Sequence, residues 1–243
     1  MDRQVYERMR DLEESHWWFS ARRAILSDQI GRLGLCDRAK VLEVGCGTGG
    51  NLKMLSRFGA VTGLEPDDEA RAYAAEKGGA PIVAGGLPDG IGLGRRRFDM
   101  VAALDVIEHV DRDGEAIGAM ARMLKPGGFL VTTVPAYGWM WSRHDDLHHH
   151  KRRYRLGEFR ALFEKAGLKV RKASYFNTLL FAPIAAVRIV KSLLRRGGAD
   201  EDRMPAGAVN GVLKGLFGLE RFWLRRGGFP FGVSILVIAE RPA

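Results

Sequence analysis

Between residues 40 and 135, short apolar runs alternate with stretches that interleave apolar and charged positions. KVLEVG (40–45), AVTGLE (60–65), PIVAG (81–85), FDMVAAL (98–104) and FLVTTVP (129–135) predict buried strands. The stretches 50–58, 67–78 and 113–124 predict the helices between them. Strand and helix in alternation imply a largely parallel sheet covered on both faces. The first 40 residues read as helical, with Leu12, Ile25, Leu26, Ile30 and Leu33 among charges and Gly34 as a stop signal. After Pro135 the pattern changes. RLGEFRALFEKAGL (155–168) is an amphipathic helix with Phe159, Leu162 and Phe163 on one face and Gly167 at its end. LKVRKASY follows as a strand, and GVSILVIAE (232–240) is the last strand, reached after a long insertion.

Composition and charge narrow this picture. With 46% hydrophobic and 28% charged residues, the chain has the make-up of an ordinary folded protein. Cys36 and Cys46 supply no disulfide framework, which favours a reducing compartment. The N-terminal stretch MDRQVYERMRDLEE is charged and lacks the apolar core of a secretory signal, so a cytoplasmic location is expected. The formal charge is +9, and residues 151–228 carry +12 of it (18 Lys/Arg against 6 Asp/Glu), leaving −3 for the rest. The basic character is therefore local.

The first strand runs into Gly45-Cys46-Gly47-Thr48-Gly49 and then a helix. Nicotinamide and flavin sites ask for G-x-G-x-x-G, whereas the spacing here is G-x-G-x-G with Glu43 two residues ahead. No Lys-Ser or Lys-Thr pair follows, so this is not a phosphate-binding P-loop. A carboxylate at this position suits a cationic or amine-bearing ligand. Glu65 ends the second strand, where a carboxylate can accept both hydroxyls of a ribose. Cys46 reads as a small filler in the loop.

These residues resemble a known family. E-x-G-C-G-T-G, the Glu65-Pro66-Asp67 turn, FDMVAALDVIEHV and LKPGGFLVTTVP are together similar to the class I S-adenosylmethionine (SAM)-dependent methyltransferases over residues 38–175 and 232–240. The resemblance implies a Rossmann-like α/β fold: a seven-stranded, mostly parallel sheet with an antiparallel last strand. It implies SAM as cofactor, with Glu43, Gly45, Cys46, Gly47 and Gly49 on the methionine side and Glu65 at the ribose. Pro66, Gly86 and Leu87 would lie by the adenine, and Leu104 and Asp105 would face the methionine part. The acid usual in the loop after the third strand is replaced by Gly85-Gly86.

ESHWWFSARR (14–23) is similar to a subgroup of small bacterial methyltransferases with an HWWF-type N-terminal helix, and Asp145, His150, Arg152, Arg153 and Tyr154 match a second segment of that subgroup. The expected organisation is an N-terminal helical lid (1–36), a catalytic domain (37–175 and 229–243) and a helical insertion (176–228). Trp17, Trp18, Arg23, Tyr137, Asp145, Arg153 and Tyr154 are candidates for binding the acceptor. His109, His16 and His150 are candidate general bases. Residues 144–150 hold four histidines and two aspartates. Adjacent histidines point apart and no pair is read at a clean i, i+4 spacing on an open helix face, so no metal is expected there.

The insertion has an uncharged run from Ala173 to Val187, too short for a membrane-spanning helix, which needs about 20 residues. Apolar stretches bordered by Lys191, Arg195, Arg196, Arg225 and Arg226 suit the headgroup region of an anionic membrane, on its inner face. Gly207, Gly211 and Gly215 recur every fourth residue, which also suits a homodimer. The expected activity is methyl transfer to a small or lipid-linked acceptor, at oxygen. An RNA methyltransferase and a SAM-binding protein without turnover are the alternatives; the chain lacks the Asn-Pro-Pro-aromatic turn of enzymes that methylate base amines.

Overall fold

A computed structural model describes residues 3–193 and 204–242. Two helices open the chain, α1 (Arg3–Leu12) and α2 (Trp17–Ile30). The alternating region follows as β1 (Lys40–Val44), α3 (Leu52–Leu55), β2 (Ala60–Glu65), α4 (Asp68–Lys77), β3 (Ile82–Ala84), β4 (Phe98–Leu104), α5 (Asp113–Met123) and β5 (Leu124–Pro135). Then come α6 (Arg143–Leu147), α7 (Leu156–Lys165), β6 (Lys169–Phe176), α8 (Phe181–Leu193), α9 (Gly207–Leu224) and β7 (Ser234–Glu240). The seven strands form one sheet in the order β3-β2-β1-β4-β5-β7-β6. β7 runs antiparallel to both β5 and β6, and the other pairings are parallel. The strand order reverses between β1 and β4, so the loops after these two strands flank a crevice.

Side chains alternate across the sheet, apart from irregularities between Phe98 and Met100 of β4 and between Val170 and Lys172 of β6. Val101 and Ala103 of β4 and Ile235 and Val237 of β7 join one apolar cluster with Ile117, Met120, Phe159 and Phe163 of α5 and α7. Met100, Ala102, Leu236 and Ile238 join the opposite cluster, with Ile25 and Leu26 of α2 and Phe217 and Leu224 of α9. The segment expected to form a lid thus contributes α2 as a covering layer of the sheet. α2 stops at Ile30, with Gly31 as its C-terminal cap, ahead of the expected Gly34. Helix ends carry local signals. Asp67 accepts hydrogen bonds from the N–H groups of Glu69 and Ala70 at the start of α4 (3.0 and 2.9 Å). Gly167, at φ 77°, turns the chain out of α7.

The insertion is helical where described, and it is fastened from within. Glu220 of α9 is 1% exposed and accepts the backbone N–H groups of Asn177, Thr178 and Leu179 at 2.7, 2.6 and 2.8 Å, just ahead of α8. Arg195 and Arg196 lie outside the described residues, as does the side chain of Lys191. Arg225 is tied to Asp28 of α2 (2.5 Å), which revises its assignment to a free cationic border. No helix among the described residues is long and apolar enough to cross a membrane.

Candidate active site

Three loops meet at the carboxyl ends of β1, β2 and β4. The first is the glycine loop. Gly45 has φ 65°, and a Cβ there would lie 2.7 Å from Val106 Cγ2. Gly47 has φ 53° but faces open space, with nothing within 4 Å of a would-be Cβ. The loop backbone therefore leaves a cradle that any side chain would begin to fill. Cys46 is buried against Gly63, and burial pushes its thiol well above the usual range, so it is an inert filler as expected.

Two carboxylates border the cradle. Glu43 is 1% exposed; its Oε1 accepts from Asn51 Nδ2 (2.9 Å), while its Oε2 has no hydrogen-bond partner. Burial raises its pKa to about 7, against the opposing pull of Asn51 and Arg22. An orphaned carboxylate oxygen of this kind fits an ammonium group. Glu65 accepts from Gly47 N–H (2.9 Å) and Asp67 N–H (3.1 Å), and burial raises its pKa. It thus stands at the end of β2, between the glycine loop and the α4 entrance. Gly86 lies beside Pro66, within 3.4 Å of its Cβ measured from a would-be Cβ, so the two expected adenine-side residues are neighbours. Leu87 follows in the same turn, partly buried against the first cluster. Open cradle, orphaned Glu43 oxygen and Glu65 together fit SAM, whose bound form would bring a sulfonium, an amine and a ribose.

The loop after β4 was only half read in the sequence. Leu104 is buried, and Asp105 has φ 58° and pairs with Arg22 Nη2 at 2.6 Å. The same Nη2 donates to Thr133 Oγ1 (2.9 Å), and the guanidinium lies over the Trp18 ring, 5.0 Å from its centroid. Arg22 is 3% exposed. The sequence reading chose Arg23, which instead clamps the α1–α2 connection by donating to the carbonyls of Glu13 (2.5 Å) and Gly50 (3.4 Å). The missed signal is helical spacing: Arg22 lies on the side of α2 that carries Ile25, Leu26 and Gln29. Glu13 was also missed. It is 3% exposed, accepts from Thr48 Oγ1 of the glycine loop (2.9 Å) and pairs with Lys77.

The remaining candidates divide. His16 caps α2, its Nδ1 accepting from Trp18 N–H (3.3 Å). Trp17 donates its N–H to Asn210 of α9 (2.8 Å) and packs edge-on to Phe217, inside the α2–α9 contact. Tyr154 is buried with its hydroxyl on Asp113 (2.9 Å). Asp145 is fully buried, chelated by Arg153 through Nε (2.7 Å) and Nη2 (2.9 Å) and contacted by His150 Nδ1 (2.8 Å). Burial alone would raise the Asp145 carboxyl, but the bonds from His150 and Arg153 hold it below the ordinary range. Arg153, Asp145 and Tyr154 are thus engaged with buried partners of the chain. Tyr137 does stand at the rim: it stacks on Trp139 (5.8 Å) and Tyr175 (5.1 Å) and meets Phe181 edge-on (5.9 Å).

Glu108 follows Asp105 by three residues and is 0% exposed, with neither carboxylate oxygen hydrogen-bonded. Burial, and then the charge of Asp105, raises its pKa well above the usual value. His109 stacks edge-on to His150 (4.7 Å); burial and the neighbouring imidazoles of His150 and His148 lower its pKa to about 3. Two groups bring ligand atoms within 4.8 Å of one another: Glu108, His109 and His150, and His144, His148 and His150. His144 and His148 stand four residues apart across α6, so the premise that no such pair exists is corrected.

Comparison with known proteins agrees with this geometry. The family model described as a methyltransferase domain matches residues 18–173. A ubiquinone biosynthesis O-methyltransferase of Bradyrhizobium sp. is 36% identical over 104 residues, 41% of this chain and 41% of that protein. The chain spans about half the length of the curated relatives it matches. Among solved structures, the methyltransferase in a Haloferax volcanii complex with the Trm112 activator superposes with TM-score 0.65 at 19% identity, covering 99% of this chain and 95% of that one. Geranyl diphosphate C-methyltransferase from Streptomyces coelicolor, solved with Mg2+, geranyl diphosphate and S-adenosylhomocysteine, gives 0.58 at 16% identity, covering 89% and 79%. The chain belongs to the methyltransferase-domain family, and its fold is that of the SAM-dependent methyltransferases.

Proposed function

We propose that the protein methylates an oxygen of a small, lipid-linked acceptor at an anionic membrane surface, as an HWWF-type member of its family. The observation that carries this reading is a set of exposed apolar side chains on α8 and α9. Phe181, packed edge-on to Tyr137 and Trp139, opens α8, where Val187, Ile189 and Val190 are exposed. On α9, Val209, Val212, Leu216, Leu219, Phe222 and Trp223 are exposed as well, with Val212 and Trp223 at 62%. Arg221 lies over the Phe222 ring at 4.7 Å, placing a cation beside these apolar side chains. Such a border suits acyl chains on one side and anionic headgroups on the other. The name of the curated relatives, ubiquinone biosynthesis O-methyltransferase, supports both the oxygen and the isoprenoid character of the acceptor.

In this reading the chain mainly orients the acceptor hydroxyl in line with the sulfonium, since positioning can supply about 7–11 kcal/mol. A hydroxyl acceptor also has to give up its proton to a base. His109, at about 3, is too weak a base for that role. The test is methyl-labelled SAM incubated with the protein and a total lipid extract, beside total RNA. Label in the lipid phase, released by ether cleavage, supports the proposal. Label in RNA, or none in lipid, overturns it. Vesicle sedimentation tests the surface: recovery should be greater with anionic than with neutral vesicles and fall as salt rises. No recovery together with a stable dimer would give α9 to oligomerisation.

A further inference from the structure

We propose that His144, His148 and His150 form a binding site for one divalent transition cation of the zinc type. The site goes beyond the methyl-transfer reading and does not depend on it. It is built by the way α6 ends. His149 N–H bonds the Asp146 carbonyl (3.1 Å) and His150 N–H bonds the Asp145 carbonyl (2.9 Å), with His149 in the left-handed region at φ 55°. This is the bond pattern of a Schellman turn, whose left-handed position is ordinarily glycine. A histidine there is conformationally unfavourable. The turn swings His150 back beside the helix face that carries His144 and His148, one helical turn apart.

The resulting geometry is close to a metal triad. Ring centroids lie 4.1 Å apart for His144 and His148, 5.8 Å for His144 and His150, and 5.8 Å for His148 and His150. Tetrahedral zinc with N at about 2.0–2.1 Å puts donor atoms about 3.4 Å apart and ring centres about 5 Å apart. The donors already lie within 4.8 Å of one another, so side-chain rotation alone closes the site. His150 is also held as metal-bound histidines are. Its Nδ1 meets Asp145 Oδ1 at 2.8 Å, which turns Nε2 outward, and Asp145 is fixed in turn by Arg153. Three imidazoles select zinc, copper or nickel over magnesium and calcium, which take oxygen ligands. Three protein ligands leave a fourth position for water or a ligand oxygen.

The neighbouring group of Glu108, His109 and His150 is the less favourable host. Glu108 is sealed at 0% exposure, which leaves an ion no way to it. His144 is only half-buried, which leaves a path for an ion.

The experiment uses the full chain without a polyhistidine tag, stripped by a chelator and titrated calorimetrically with Zn2+ near neutral pH. Co2+ serves as a second probe through its tetrahedral visible absorption. The expected result is one ion per chain. His144→Ala and His148→Ala should each weaken binding by at least about 10-fold, since loss of even an outer partner costs about 10–100-fold. Glu108→Gln should leave it unchanged. Thermal melting and S-adenosylhomocysteine binding confirm that each variant is folded; His144→Ala, at the half-buried ligand, carries the test if His148→Ala does not fold. No stoichiometric uptake overturns the proposal. So does uptake that survives in His144→Ala and is lost in Glu108→Gln, which would put the ion on the neighbouring group.

Discussion

Replacing Arg22 by Met removes a charged contact that α2 makes with the end of β4. In the native protein, Nη2 of Arg22 reaches Asp105 Oδ2 at 2.6 Å and Thr133 Oγ1 at 2.9 Å. Breaking a fully buried ion pair costs about 3–5 kcal/mol. Two features lower that figure here. The Asp105 side chain is 24% exposed, so water can take over part of the lost bond. The buried Nε of Arg22 has no hydrogen-bond partner, so its removal ends a standing desolvation cost. Methionine also preserves the apolar stem and the helix propensity. The expected loss is about 2 kcal/mol, within the range for one charge-assisted hydrogen bond. For a 243-residue chain this lowers the melting temperature by about 4–8 °C. Urea denaturation of Arg22→Met, Asp105→Asn and the double variant measures the coupling directly, and a coupling energy of about 1–2 kcal/mol is expected. Additive losses, or a single variant within about 0.5 kcal/mol of the native protein, would refute the reasoning.

Glu43→Gln tests the orphaned carboxylate. Its folded pKa of about 7 lies above the ordinary 4.5, so the stability it contributes is full below pH 4.5 and is lost as pH rises through 7. The ligand-free variant should therefore match the native protein at low pH and exceed it above pH 7, by up to about 3 kcal/mol in urea denaturation. It should also bind S-adenosylhomocysteine less tightly. Phe217→Ala removes a fully buried ring between Phe176 and Trp17 and should cost about 3–5 kcal/mol in the same assay. Its Trp17 fluorescence should shift to the red as the α2–α9 contact loosens.

The sheet was legible because its strands are continuous apolar runs punctuated by glycine and acid. Both faces are buried, so the runs needed no alternation to be seen. α4 and α7 were legible for local reasons, the Asp67 cap of α4 and the Phe159–Phe163 face of α7. α3 was read as 50–58 and is only Leu52–Leu55; past Ser56 the chain tightens into i→i−3 turns, with Arg57 N–H on the Met54 carbonyl and Phe58 N–H on that of Leu55. α6 was missed: five residues, mostly charged, with no apolar stripe. Arg22 and Arg23 show the limit at the site. They are adjacent in sequence and about 100° apart around the helix, and only the fold decides which meets Asp105, 83 positions away. The same limit applies to Arg153 and Tyr154, which by type could bind an acceptor and by burial hold Asp145 and Asp113. The cofactor side was clearer because Glu43, Gly45, Gly47 and Glu65 sit at strand ends that the sequence itself marks.

Calorimetric titration with S-adenosylhomocysteine tests the cofactor site most directly. One molecule should bind per chain, and Glu65→Ala should weaken binding by about 1–3 kcal/mol, or about 5- to 150-fold, as its charged hydrogen bonds are left unmade. Unchanged affinity in Glu65→Ala would remove that carboxylate from the ribose, and binding of NAD with none of S-adenosylhomocysteine would contradict the account outright.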